Sequence, residues 1–278
     1  MKRIAYFLAV SGLCIAGLGG YAFWHQFLRH TFREVLQPLT ETTLSTGESL
    51  VTDSVPNQSA QPIQKPVLTE SNIQDPVPIP VVKVASQSVL QEVPFTSQAP
   101  TGKWGDLVFQ DGCEEASMMM AMAWAKGMKL SLEEVVIQNI TQFETKKFGS
   151  FTADTSAEDT AQIMREYFAY DNISIARDVS IDDIRKFLDD GALVMAPMNG
   201  QALHNPHFTQ PGPLHHMLVI IGYDAQTGEF ITNDPGTKEG KGYRYSEEML
   251  YRALRDYSTG NKALIAEGNK KTIIVIRK

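Results

Sequence analysis

VPFTSQAP at residues 93–100 and GCEEASMMMAMAWAKG at residues 112–127 decide how the rest of the chain is read. Gly112 breaks whatever precedes it, and from Glu114 the strong helix formers Glu, Ala and Met run on to a stop at Gly127. Cys113 therefore stands at the start of an apolar helix. Unpaired N–H groups and the positive end of the dipole lower a thiol's pKa there and favour the nucleophilic thiolate. Glu114 and Glu115 suit the dipole as first-turn acids, but they put negative charge beside the sulfur, which opposes ionisation. A lone cysteine is more often a small buried hydrophobe than a nucleophile. A histidine base oriented by a third polar group, near only in space, reverses those odds.

The later chain supplies such a pair. Ser131 is expected to cap a second helix, with Leu132, Val135, Val136, Asn139 and Ile140 along one face. Residues 155–168 form a third, opened by Ser156, and Ser180 caps a short amphipathic fourth that Gly191 closes. From Gly191 the period changes, and LVMAPM (193–198), HMLVIIGY (216–223), FITN (230–233) and KTIIVIR (271–277) read as strands. Residues 224–228, DAQTG, join the second and third strands as a hairpin turn. With the hairpin centred near Ala225 or Gln226, Asp234 falls opposite or diagonal to His216, within about 5–8 Å. Taken singly, a histidine at a strand mouth and an NDPG turn are ordinary structure. Jointly with a helix-capping cysteine they match what an activated thiol requires.

At VPFTSQ, GCEEAS, HHMLVIIGYD and NDPG the chain resembles the bacteriocin-processing type of cysteine peptidase and its broader C39-like relatives, over about residues 90–236. The resemblance implies an α+β, papain-like fold with N-terminal helices packed on an antiparallel sheet. It also implies a peptide or protein substrate, no cofactor, Cys113 as nucleophile, His216 as base, Asp234 as orienting acid and Gln98 as oxyanion-hole donor. Fourteen residues separate Gln98 from Cys113, a longer gap than in papain-like enzymes generally, so Gln110 stands as a rival. Trp104 on this loop is either a substrate-facing side chain or a lid packed on the domain. No transporter domain accompanies the region, so a double-glycine leader peptide is not the implied substrate.

Ahead of this domain, Lys2 and Arg3 precede residues 4–24, which contain no charge and as a helix of about 30 Å reach across a bilayer. Residues 1–25 are read as a membrane anchor, or as a signal segment if cleaved after Ala22, which would secrete the protein. Lys2 and Arg3 keep the N-terminus inside and the C-terminal domain outside the cytoplasm, although Arg29 and Arg33 weaken that asymmetry. Cys14 within this run is a passenger. Residues 26–88 are rich in Ser, Thr, Gln and Pro without apolar periodicity, a disordered tether whose PVPIP at 76–80 is stiff. Residues 89–278 are long enough for one domain with a proper core.

Twenty-five basic side chains against 32 acidic ones, with no basic run interleaved with aromatics, give no reason to expect nucleic acid as a partner. A phosphate-binding glycine loop is also lacking. Four of the six histidines, His204, His207, His215 and His216, fall within thirteen residues and suggest zinc as the alternative chemistry, with Asp234 as a further ligand. Neither a His-Glu-x-x-His helix nor a Cys-x-x-Cys pair supports it, so His204 and His207 are read as substrate-binding groups on a loop over the cleft. A third alternative is a non-catalytic peptide-binding module that keeps the same cleft.

Overall fold

Runs of Val, Ile and Met in the second half of the domain pair into one antiparallel sheet. In the computed structural model, which describes residues 88–149, 154–260 and 271–278, its strands are β1 (Val89–Leu90), β2 (Ile173–Ala176), β3 (Leu193–Met198), β4 (His216–Asp224), β5 (Glu229–Asn233), β6 (Lys241–Ser246) and β7 (Ile273–Ile276). Their order is β2-β7-β3-β4-β5-β6. β3 pairs with His216 through Ile220 on one edge of β4, and β1 pairs with Gly222 and Tyr223. That last pairing needs a glycine, because a Cβ on Gly222 would stand 2.1 Å from the Val89 carbonyl oxygen.

β3 is buried along its whole length and β4 through all but its last residue, so both faces of the sheet are covered. Among the described residues, six α-helices and a short 3-10 turn (Gly200–Leu203) surround it: α1 (Leu107–Gln110), α2 (Cys113–Lys126), α3 (Glu133–Phe148), α4 (Ala157–Phe168), α5 (Ile181–Asp189) and α6 (Glu247–Ala253). Alternate residues of the central strands serve different layers. Met195, Met217 and Val219 meet α2, α3 and α4, while Val194, Leu218 and Ile220 meet α5 and α6. The expected layer of N-terminal helices on an antiparallel sheet is thus one of two. The second layer depends on α6, which the sequence reading passed over together with β2 and β6. Ser246 caps that helix by accepting from Met249 N–H.

α2 is buried on every side from Cys113 to Trp124, which makes it the central helix of its layer. Burial of Met118, Met119, Met120 and Met122 stabilises the layer by about 1.5–3 kcal/mol per side chain. Gly127, at φ 63°, ends the helix with its N–H on Trp124 O at 3.2 Å. Ser156 and Ser180 cap α4 and α5 as expected, the latter in a reciprocal capping box with Asp183. α3 differs from expectation. Its capping position is Leu132 in the left-handed region at φ 51°, with no side-chain bond to the helix, and Ser131 lies one residue too early. The expected anchor at 4–24 and the tether through residue 87 lie outside the described residues. No helix among the described residues is long and apolar enough to cross a membrane.

Candidate active site

His216 opens β4 and Asp234 follows β5, and the hairpin between them sets their registry. Val219 pairs with Asn233, so Asp234 comes diagonal to His216 rather than opposite it. A register shift between Ile220 and Gly222 produces this, since the pair Asp224 and Glu229 at the turn alone would carry Asp234 onto the other face. His216 Nε2 donates to Asp234 Oδ1 at 2.8 Å, with both side chains essentially buried. The same carboxylate accepts from Gly236 N–H at 2.9 Å and, through Oδ2, from the Tyr245 hydroxyl at 2.6 Å. Asn205 Nδ2 in turn donates to Tyr245 Oη at 2.6 Å. Burial pushes the Asp234 carboxyl up, but the His216 charge and these bonds outweigh it and hold it below the usual carboxylate range. The acid therefore stays ionised. It fixes His216 with Nε2 protonated and Nδ1 as the basic nitrogen.

α2 is aligned with that ring by a bond one turn after the cysteine. Ser117 Oγ donates to the carbonyl of Met217 at 3.2 Å, and Cys113, four residues earlier on the same helix face, is carried toward the His216 end of β4. The loop at 93–100 closes the arrangement from the other side. Gln98 N–H donates to Pro235 O at 2.9 Å, and Asn233 Nδ2 to Val93 O at 3.2 Å. Cys113, His216, Gln98, Trp104 and His207 line one open cleft of about 540 Å³.

The thiol's own surroundings depart from the sequence expectation. Glu114 and Glu115, the first-turn acids, are buried, and Cys113 Sγ–H donates to Glu114 Oε2 at 2.9 Å rather than to His216. Burial, then the charges of Glu114 and Asp154, push the Cys113 thiol well above its ordinary value. Helix-dipole lowering is outweighed. Around it lies a cluster of buried acids. Thr141 Oγ1 donates to Glu115 Oε1 at 2.6 Å, and Glu115 shares a further hydrogen bond with Glu144 of α3. Burial raises Glu115 to about 7, and burial followed by the charges of Glu115 and Glu114 raises Glu144 well beyond the usual range.

Gln98 stands in the cleft wall, but both of its amide hydrogens are engaged, with Phe109 O at 2.8 Å and Gln110 O at 2.7 Å. The donor expected of it thus closes off the end of α1 instead of facing a reacting carbonyl. The backbone N–H of Cys113, the first residue of its helix, has no acceptor within that helix. Gln110 and half-buried Trp104 line the cleft, as does exposed His207, whose Nδ1 lies 3.8 Å from Glu239 Oε2. His204 does not line it. That residue ends the 3-10 turn in the left-handed conformation, exposed and away from the cleft.

The four histidines that suggested zinc do not converge: His204 caps the end of the 3-10 turn outside the cleft lining, and His207, His215 and His216, which do line the cleft, each face a different acid. His215 Nδ1 bonds Asp154 Oδ2 at 3.0 Å, and its ring stacks on Tyr257 at 4.5 Å. Among the described residues no three His, Cys, Asp or Glu side chains converge to hold a metal ion. Sequence reasoning missed Tyr257, Tyr245, Asn205, Asp154 and the His215 pairing. Only the adjacency of His215 to His216 hinted at the last of these.

The sequence pattern of the Peptidase_C39 like family matches residues 90–259. Among solved structures, a crystal structure of a Bacillus anthracis protein provisionally described as a C39-like peptidase is similar at 17% identity, with a TM-score of 0.46. That match covers 69% of this chain and 99% of the other. No curated protein matches the chain significantly.

Proposed function

Since this chain belongs to the Peptidase_C39 like family, we propose that it is a thiol hydrolase that cleaves a peptide or amide bond with Cys113, His216 and Asp234. The observation that carries the reading is the buried His216 Nε2–Asp234 Oδ1 bond in the wall of the cleft that Cys113 also lines. It leaves His216 Nδ1 as a base of fixed tautomer. In the reaction Nδ1 takes the thiol proton, and sulfur attacks the substrate carbonyl carbon. The developing oxyanion receives the Cys113 backbone N–H. Nδ1–H then protonates the leaving amine as the C–N bond breaks. A water, deprotonated by the same nitrogen, hydrolyses the thioester and restores the thiol.

A non-catalytic peptide-binding cleft is favoured by one observation, the thiol's bond to Glu114 in place of His216. Alkylation separates the two readings. Iodoacetamide should label Cys113 with a pH midpoint set by His216, and His216→Ala should slow labelling at neutral pH by about tenfold or more. Labelling that is indifferent to His216 would favour the binding cleft.

We also place the domain outside the cytoplasm, tethered by residues 4–24 or secreted if that run is cleaved. Support comes from Lys2, Arg3 and the uncharged stretch that follows. Protease added to intact cells should remove the domain, and protection until the cells are lysed would reverse the orientation.

A further inference from the structure

Glu114 is fully buried one residue after the thiol, and each of its carboxyl oxygens has one partner. Oε2 lies 2.9 Å from the Cys113 sulfur and Oε1 2.6 Å from the Tyr257 hydroxyl, which also stands 3.3 Å from the His216 carbonyl oxygen. The ionisable groups around it bring no unengaged cation. They are Glu115 on its own helix, Glu144 on α3, Asp154 ahead of α4 and Tyr257 after α6. His215 and His216, at the head of β4, are bound to Asp154 and Asp234. Among the described residues no lysine or arginine pairs with Glu114. A buried carboxyl without a cation takes up a proton instead.

We propose that Glu114 is a neutral carboxylic acid whose O–H, once the thiol has given up its proton, donates to the Cys113 sulfur, so that it acts as a positioning residue that stabilises the thiolate. The inference rests on the reading of Cys113 as nucleophile. A thiolate 2.9 Å from a carboxylate would set two like charges in contact away from water, so the thiolate forms beside Glu114 only while the acid keeps its proton on Oε2. Tyr257 holds that arrangement by donating to Oε1, which leaves the acid's own hydrogen to the sulfur. The protons balance. The thiol's hydrogen leaves for His216 Nδ1, Glu114 keeps its own, and an O–H···S⁻ bond replaces S–H···O. Burial first, then the charges of Asp154 and Glu115, hold the Glu114 carboxyl well above the usual range, the direction a neutral acid requires.

The test is the pH profile of Cys113 alkylation in the full-length protein, read by mass spectrometry on the Cys113 peptide so that Cys14 does not contribute. Glu114→Gln keeps a neutral side chain with an N–H donor, whereas Glu114→Ala removes the donor. At pH 7 the Gln variant is expected to alkylate within about threefold of wild type and the Ala variant about tenfold more slowly, a shift of roughly one unit in the thiol midpoint. Wild type alone should lose reactivity again once rising pH ionises Glu114. If Gln reacts tenfold faster than wild type, Glu114 is a carboxylate that suppresses the thiolate and the proposal is wrong. A Gln variant as slow as Ala overturns it too. Should the Glu114 variants fail to fold, Tyr257→Phe carries the test, with an expected fall of about threefold or more and no change as the contrary result. Because alkylation is the readout, absence of peptidase activity does not bear on the outcome. A wild-type Cys113 that never reacts at any pH defeats the nucleophile reading, and this inference with it.

Discussion

Cys113→Ala is expected to abolish hydrolysis of any peptide that the wild-type protein cleaves, and His216→Ala to lower kcat/KM by about 10³-fold or more. The two changes combined should cost no more than the worse of them, because nucleophile and base act as one unit. Asp234 should divide according to its replacement. In Asp234→Asn the amide oxygen still accepts from His216 Nε2–H and Gly236 N–H, and the amide nitrogen faces the Tyr245 hydroxyl, so the ring keeps its orientation and part of the rate survives. Asp234→Ala strands the buried His216 and Tyr245 donors, and the part-buried Gly236 N–H with them, at a cost of about 1–3 kcal/mol for each buried donor left unsatisfied, so stability falls together with activity. Rates measured on a peptide library with folding followed by circular dichroism distinguish the two. A folded Cys113→Ala protein that still hydrolyses, or activity lost to a chelator and restored by Zn²⁺ while alkylated Cys113 is harmless, rules out the thiol mechanism.

What could be read from the sequence followed the range of its signals. The Cys113 helix and the β4–β5 hairpin are each written within one short stretch, as an uninterrupted set of helix formers and as apolar runs about a turn, and both stand where expected. The hairpin even bounded the His216 and Asp234 geometry, although only the register shift at Ile221 decides for the diagonal arrangement. The partners of the thiol's neighbourhood were out of reach. Tyr257 lies 143 residues from Glu114 and meets it through a loop that carries no periodic signal. Gln98 was identified by type and position, but its engagement by two carbonyl oxygens at the end of α1 depends on how that short helix ends, which no pattern specifies. His204 and His207 looked alike as members of one dense cluster. The 3-10 turn between Gly200 and Leu203 then sends His204 outward while the chain returns His207 to the cleft, a separation that spacing alone cannot express.

The domain should be most stable in mildly acid solution and lose stability as the pH rises, the reverse of the usual acid-denaturation slope. Glu115 has its carboxyl raised from 4.5 to about 7, first by burial, against the lowering bonds from Thr141 and Glu144. A raised folded-state value means that the native protein binds the proton more tightly than the unfolded chain. The resulting stabilisation is complete below about pH 4.5 and drains away as the pH climbs toward 7. Because Glu115 and Glu144 share a hydrogen bond, the change belongs to the pair and is on the order of 2–3 kcal/mol, or roughly 5–10 °C in Tm for a domain of this size. Burial also raises Glu144 and Glu114 well above the usual carboxylate range, so their contributions decline with pH in the same direction. Asp234 opposes them only at the other end. Its value is lowered, so its contribution is present above about 3.8 and disappears only as the pH falls through the folded value, which gives the profile an acid edge. Denaturant titrations from pH 3 to pH 9 should therefore trace a dome with its crest near pH 4–5. Glu115→Gln should remove most of the fall between pH 5 and pH 7, since its amide oxygen still accepts from Thr141 but has no proton to lose. A stability that rises from pH 5 to pH 8, or a Gln variant with an undiminished slope, would mean that the acids behind Cys113 are ionised in the fold. Glu114 would then be a carboxylate beside the sulfur, and the neutral-acid account of the thiolate would fall with the stability profile.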